Sequence, residues 1–254
     1  MPVKVEKISI ITVTYNSAQT LEQTIQSILS QDHPNVEYIM VDGKSTDGTL
    51  AIIEKYRPKI THFISEKDDG LYHAINKGIN LASGDIIGIL HADDFYTNND
   101  VLTGIAETFK INAADAVYAD LYYVDKDNTD KIIRTWKSGA FSPHKFLWGW
   151  MPPHPTFFVK KECYQKYGSF NTTFRSAADY EIMLRLLYKH KIKAAYLPEF
   201  IVKMRVGGQS NASLNNRLKA NNEDRLAWKL NDIKPYFFTL TLKPLRKVVQ
   251  FFNR

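Results

Sequence analysis

Cysteine is nearly absent: 254 residues hold a single one, Cys163. One thiol excludes a disulfide framework within the chain and fits a reducing compartment. No motif marks it as a nucleophile, so a structural or surface thiol is expected. Long apolar runs are missing too, and none reaches the roughly 20 residues that a bilayer-spanning helix needs. The first residues, MPVKVEKISIITVTYN, enter a strand rather than a long apolar core, so no secretory leader is expected. No G-x-G-x-x-G follows that strand and no P-loop lysine motif is present, so dinucleotide and P-loop readings lose support. Low-complexity linkers and internal repeats are also absent, which leaves one continuous domain with an extension at its C-terminal end.

What is present suits a packed α/β domain. Hydrophobic residues make up 44% and charged residues 24%, enough to bury a full core. The net charge of +6 favours anionic partners: nucleotides, lipid headgroups or nucleic acid. Strand and helix signals alternate through the first half. Strands are expected at Ile8–Thr14, Val36–Val41, Ile60–Ser65 and Ile86–Leu90. Between them, helices run from a Ser17 cap to about Ser30, over Leu50–Lys55 and over Leu71–Ala82. Repeated β-α-β units of this length predict a mainly parallel sheet flanked by helices. Later elements are a helix near Val101–Phe109, strands at Ala116–Ala119 and Lys131–Trp136, and a helix starting near Lys160. A helix around Ala178–His190, a strand near Ala194–Phe200 and a polar helix over Asn211–Leu230 follow.

The stretch IIGILHADDFY, residues 86–96, carries the sharpest chemical signal. An apolar run ends in two adjacent carboxylates, Asp93 and Asp94, and ligands of open α/β sheets sit just beyond such strand ends. Neighbouring acids repel unless a cation or a shared proton relieves them. With hard oxygens and no cysteine–histidine cage, the expected cation is Mg²⁺ or Mn²⁺ bridging to a phosphate. The same acids would also suit a solvated turn. Asp42, in VDGKSTDGT, ends another strand; a carboxylate there can accept from a base or ribose, although the segment reads equally well as turn and cap chemistry.

Five stretches together resemble the family 2 glycosyltransferases with a GT-A fold: ITVTYNS, QSILSQDHPNVEYIMVDGKSTDGT, ISEKDDGLYHAINKGINLASGDIIGILHADD, MPPHPTFF and AADYEIMLRL. They cover most of residues 8–208 in the family's order and spacing. The resemblance implies a GT-A fold and transfer of a sugar from a nucleotide-diphospho-sugar, with a UDP-sugar as the first expectation. Tyr15 and Asp42 then contact the nucleoside, and Asp68 or Asp69 supplies a second donor-contacting acid. Asp93 faces the ribose and Asp94 ligates the metal, with both acids in the metal motif. His91 departs from the Asp or Asn common at its place. Asp179 matches the acidic catalytic residue that deprotonates an acceptor hydroxyl, although the same residue could simply cap its helix. His154 falls on the acceptor side, where Trp148 and Trp150 could stack on a sugar. Gly207-Gly208-Gln209-Ser210 resembles the family's loop over the donor.

The Q-x-x-R-W motif of processive synthases is absent, which favours one sugar per encounter; the single displacement that the resemblance implies would invert the anomeric centre. The implied acceptor is a polyprenyl-diphosphate-linked glycan in cell-surface polysaccharide or O-antigen synthesis. From Lys234 onward acids vanish, in KPYFFTLTLKPLRKVVQFFNR. Residues 1–233 are therefore expected to form the catalytic domain, and 234–254 a basic amphipathic extension. Such an extension suits an anionic membrane, and so a cytoplasmic protein held peripherally on the inner face; packing on the body is the alternative. A sugar-phosphate nucleotidyltransferase would want a glycine-rich, basic N-terminal loop, which ITVTYNS does not provide. A non-catalytic nucleotide- or glycan-binding module is disfavoured by the presence of Asp42, Asp94 and Asp179 together. A nucleic-acid partner is not expected, because the acid-free basic run is confined to the tail. The sequence sets no oligomeric state.

Overall fold

The computed structural model describes residues 5–207 and 214–243. Its first half follows the expected alternation: β1 Ile8–Thr14, α1 Leu21–Leu29, β2 Val36–Asp42, α2 Thr49–Tyr56, β3 His62–Ser65, α3 Leu71–Leu81 and β4 Ile86–Ile89. The second half contains β5 Asp94–Tyr96, α4 Val101–Asn112, β6 Ala116–Val124, β7 Ile132–Trp136, β8 Phe158–Lys160 and α5 Lys161–Tyr167. It ends with α6 Ala178–Met183, β9 Ala194–Arg205 and α7 Leu214–Leu230.

All the strands join one sheet in the order β3-β2-β1-β4-β8-β6-β9-β5, with β7 pairing with β6 outside that order. β1 pairs in parallel with β2 and β4, and β2 with β3, so their C-terminal ends share one edge. β8 is antiparallel to both β4 and β6 and carries the sheet into its second half. Side-chain alternation sorts β1 between two apolar layers. Ile11 and Val13 join the layer under α3, α5 and α6, while Ile8 and Ile10 join the layer under α1 and α4. Contact with α3 is close because Gly78 lacks a side chain; a Cβ there would stand 2.4 Å from Ile11 Cγ2.

Local expectations were adjusted at several points. Helix α1 begins at Leu21, and the Ser17 hydroxyl turns back to the Tyr15 carbonyl instead of capping it. The helix expected through His190 is α-helical only to Met183, then widens into a π-helical segment over Leu184–Lys189. The boundary at 233/234 is not a break in the structure: Ile233 and Leu240 pack on the core, and Thr239 is fully buried. Residues 244–254 and Gly208–Ser210 lie outside the described residues. Cys163 is buried, and burial pushes its thiol up to about 11, so it is a structural thiol. Among the described residues no helix is long and apolar enough to cross a membrane.

At the opposite end of the sheet, Glu37 ties β1, β2 and the α3–β4 turn together. Its carboxylate accepts from Ser9 Oγ, Lys7 Nζ, and both the amide and hydroxyl of Ser83, and His62 Nε2 stands 3.8 Å away. Burial opposes the charge, but the Ser83, Ser9 and Lys7 donors outweigh it and hold the carboxyl down at about 2. A depressed pKa stabilises the fold above the unfolded value of 4.5 and loses that contribution as pH falls toward about 2. Glu37→Gln is expected to cost about 2–3 kcal/mol at neutral pH. It should also flatten the acid limb between pH 4.5 and 2, read by urea titrations across that range.

Candidate active site

Two loops frame the ends of β1 and β2. Tyr15 follows β1 directly and is 60% exposed, its ring lying over Gly43. The register sets Thr14 beside Asp42 and Asp42 beside Ser65, so all three strands end level. Asp42 is fully buried, and its carboxylate accepts from the hydroxyls of Ser45 (2.5 Å) and Ser65 (2.6 Å) and from the Ser45 amide. The carboxylate is thus engaged by these serines, where it fixes the loop. Asn16 and Asp47 complete the seam, accepting from the amides of Thr46, and of Ala18 and Thr49. After β3, Asp68 accepts from Lys77 on α3 (2.5 Å), and its other oxygen is buried without a partner. Its neighbour Asp69 is exposed.

Beyond β4 the adjacent acids separate. Asp93 is half-buried in the turn, while Asp94 opens β5 and is 1% exposed, with neither carboxylate oxygen hydrogen-bonded. Burial, and then the charge of Asp93, push the Asp94 carboxyl well above the usual range, with Arg205 pulling the other way. Arg205, at the end of β9, donates to the Asp93 carbonyl and to Gln23 rather than to either carboxylate. Of the two acids, Asp94 is therefore the covered one and Asp93 the partly exposed one. No group of three or more His, Cys, Asp or Glu side chains among the described residues is arranged as a metal cage. The unsatisfied Asp94 carboxylate next to Asp93 nevertheless fits Mg²⁺ or Mn²⁺, which commonly takes one or two carboxylates plus substrate phosphates.

Asp179 lies in the first turn of α6, yet it does not cap that helix. The cap position is Ala177, and the cap is Glu223, reaching over from α7. One carboxylate there accepts from the amides of Arg175 (3.1 Å), Ser176 (2.8 Å) and Ala177 (2.9 Å) and from the Ser176 hydroxyl (3.0 Å). Asp179 is thereby left to face His154, whose Nδ1 is 3.4 Å from Oδ2, and the Tyr72 hydroxyl, 3.4 Å from Oδ1. The His154 ring sits 5.4 Å from that of His91. Burial, then the neighbouring His154, push His91 down to about 4 against the pull of Asp93 and Asp179. Burial also lowers His154, again opposed by Asp179 and Asp93. Both shifts favour the uncharged form of the rings. The structure thus brings Asp93, His91, His154, Tyr72 and Asp179 into one cluster at the C-terminal edge, with Tyr15, Asp42 and Asp68 on the adjoining strand ends.

The two tryptophans part from the acceptor expectation. Trp150 is buried, donates to the Ser138 carbonyl and packs against Tyr118 and Phe146, so it belongs to the core. Trp148 is half-exposed but rests on Phe238 and Tyr236. Sequence reasoning passed over Tyr72 and Glu223 and discounted His91. Tyr72 had a usable signal, since it stands in the first helical turn after Asp68-Asp69-Gly70. Glu223 had none, because its partners are more than forty positions away.

Glu223→Ala is expected to lower kcat by roughly tenfold to a hundredfold through misplacement of α6. The donor KM should hold, and Glu223→Gln, which keeps an accepting oxygen, should recover most of the loss. Steady-state kinetics of the two variants separate this from general destabilisation, which would move both constants.

Comparison with known proteins follows the same lines. The family model described as Glycosyl transferase family 2 matches residues 9–177. An uncharacterized glycosyltransferase of Mycobacterium tuberculosis is 31% identical over 180 residues, covering 70% of this chain and 68% of its own. A PGL/p-HBAD biosynthesis glycosyltransferase from the same species is 29% identical over 204 residues, covering 74% of this chain and 75% of its own. Among solved structures, Staphylococcus aureus TarS 1–349 superposes with a TM-score of 0.70 at 19% identity, over 96% of this chain and 72% of that one. Mannosyltransferase PcManGT from Pyrobaculum calidifontis, in complex with GDP-Man and Mn²⁺, gives 0.67 at 21% identity, over 95% and 69%. The last two are likenesses of fold.

Proposed function

Because the chain belongs to glycosyltransferase family 2 and has the GT-A fold, we propose that it is an inverting, non-processive transferase acting on a lipid-linked glycan. The observation that carries this reading is the chain of contacts from Asp179 through His154 to His91, two positions before Asp93. Glycosyl transfer needs an acid that holds the leaving diphosphate and a separate base for the incoming hydroxyl.

On the donor side the exposed Tyr15 ring offers a stacking face for the base, and Asp42 keeps the following loop in place. Asp93, with Asp94 behind it, would hold the divalent ion, which when bound offsets charge on the diphosphate. Across the cluster, Asp179 takes the proton from the acceptor hydroxyl. The acceptor oxygen bonds to the anomeric carbon as the bond from that carbon to the diphosphate oxygen breaks, and the configuration inverts. His154 and Tyr72 each stand 3.4 Å from one carboxylate oxygen of Asp179 and orient the base.

A UDP-sugar is the proposed donor. TarS 1–349 has been solved in complex with UDP-GlcNAc and the Pyrobaculum enzyme with GDP-Man and Mn²⁺, which supports the nucleotide-sugar class and the metal. The proposed acceptor is a polyprenyl-diphosphate-linked glycan of a cell-surface polysaccharide or O-antigen pathway, met at the cytoplasmic face of the membrane. The test is a panel of nucleotide sugars with a polyprenyl-diphosphate-linked acceptor, and NMR of the product. Addition of one sugar with an inverted anomeric centre is expected. A retained centre, or successive additions to one acceptor, contradicts the proposal.

A further inference from the structure

We infer that Trp148, Tyr236, Phe237 and Phe238 form the surface by which this protein docks on an anionic lipid bilayer. The inference rests on the reading that the acceptor is lipid-borne, and it names where the protein meets that lipid. Phe237 is 97% exposed, and Tyr236 and Trp148 are about half exposed at 50% and 51%. Their rings and that of Phe238 touch one another, with centroids 5.1–6.4 Å apart. Isolated apolar side chains on a surface need no explanation, but a contiguous aromatic group does.

The group is held firmly by the body. Thr239 is fully buried and donates to the Leu147 carbonyl at 2.6 Å. Lys243 closes on Asp224 at 2.7 Å and lies over the Tyr180 ring, 3.6 Å from its centroid. Gly149, at φ 73°, lets the turn after Trp148 approach the Lys243 backbone, where a Cβ would stand 2.6 Å from the nitrogen. These contacts spend the middle of the tail on structure and leave the rings outward.

Charge selects the occupant. No acid follows Asp232, whereas Lys234, Lys243, Arg246, Lys247 and Arg254 do. Of these, Lys243 is already paired with Asp224, while Lys234 is exposed in the same segment as Tyr236 and Phe237. Tryptophan and tyrosine settle where an apolar body meets a polar headgroup, and adjacent cations add attraction to anionic lipid. A second copy of the chain would set the same acid-free segment against itself, like charge on like. Trp148 also ends the turn that leads into the His154 segment.

The test is co-sedimentation of the full chain with vesicles of phosphatidylcholine alone and with added phosphatidylglycerol, without donor or acceptor. Binding should require phosphatidylglycerol, and Tyr236→Ser with Phe237→Ser should lower partitioning by about tenfold or more. Both positions are exposed, and an unchanged thermal midpoint verifies that the variant is folded. The inference is overturned by wild-type partitioning of the folded variant, or by equal binding to neutral vesicles. It is also overturned by a chain that ignores vesicles but self-associates through these rings. Because no sugar is transferred in the assay, its failure leaves the catalytic reading standing, and a failed transfer assay leaves this one standing.

Discussion

Asp179→Asn should reduce transfer by roughly 10²- to 10⁴-fold, the range that a positioned general base contributes. The substitution keeps the shape of the side chain and an oxygen that can accept from the Tyr72 hydroxyl, so the start of α6 should stay where Glu223 holds it. What disappears is the capacity to receive a proton from the acceptor. Donor affinity should stay near the wild-type value, because Asp179 faces His154 and Tyr72 rather than the donor-side strand ends. The effect therefore falls on kcat, and single-turnover measurements with saturating donor resolve it. A variant that turns over at the wild-type rate would remove Asp179 from the chemistry and leave the cluster without a base.

The second large effect separates the adjacent acids. Asp93→Asn should lower kcat/KM by about 10²-fold or more, since it takes away the reachable anionic oxygen beside the diphosphate. Asp94→Asn should behave differently. Its carboxyl is buried, lacks hydrogen-bond partners and is pushed toward the neutral form by burial and by Asp93. An isosteric neutral amide is therefore expected to change unfolding free energy by no more than about 1–2 kcal/mol. Its activity should exceed that of Asp93→Asn. Equal loss in the two variants would mean that both oxygens meet the ligand directly, as the sequence pattern implied.

How far the sequence could be read depended on how local each signal was. Ile8–Thr14 is rich in β-branched residues and Ile86–Leu90 is a short apolar run, and both became strands in the expected places. β9 was cut short at Phe200 because its continuation, Ile201–Arg205, owes its shape to β5 and β6. Such non-local pairing leaves little trace in a window of residues. Strand β8 is only three residues long and is defined by its neighbours on both sides. In the site, Asp93 and Asp179 were legible as motif residues, but which oxygen is covered was not. Asp42 stands where expected, yet Ser45 of its own loop and Ser65 at the end of β3 close over it. Trp148 and Trp150 look alike in sequence; one packs in the core because the Ser138 carbonyl is within reach of its indole N–H. The cap on α6 comes from another helix altogether, which is why Asp179 could be mistaken for the cap itself.

The most direct test of a shared site is calorimetric titration of a nucleoside diphosphate into wild type, Asp93→Asn and Asp179→Asn, each with and without Mn²⁺. Wild type and Asp179→Asn should bind with similar affinity only when Mn²⁺ is present, and Asp93→Asn should lose that metal-dependent gain. Binding that ignores Mn²⁺ in all three proteins, or that collapses in Asp179→Asn while persisting in Asp93→Asn, would contradict it.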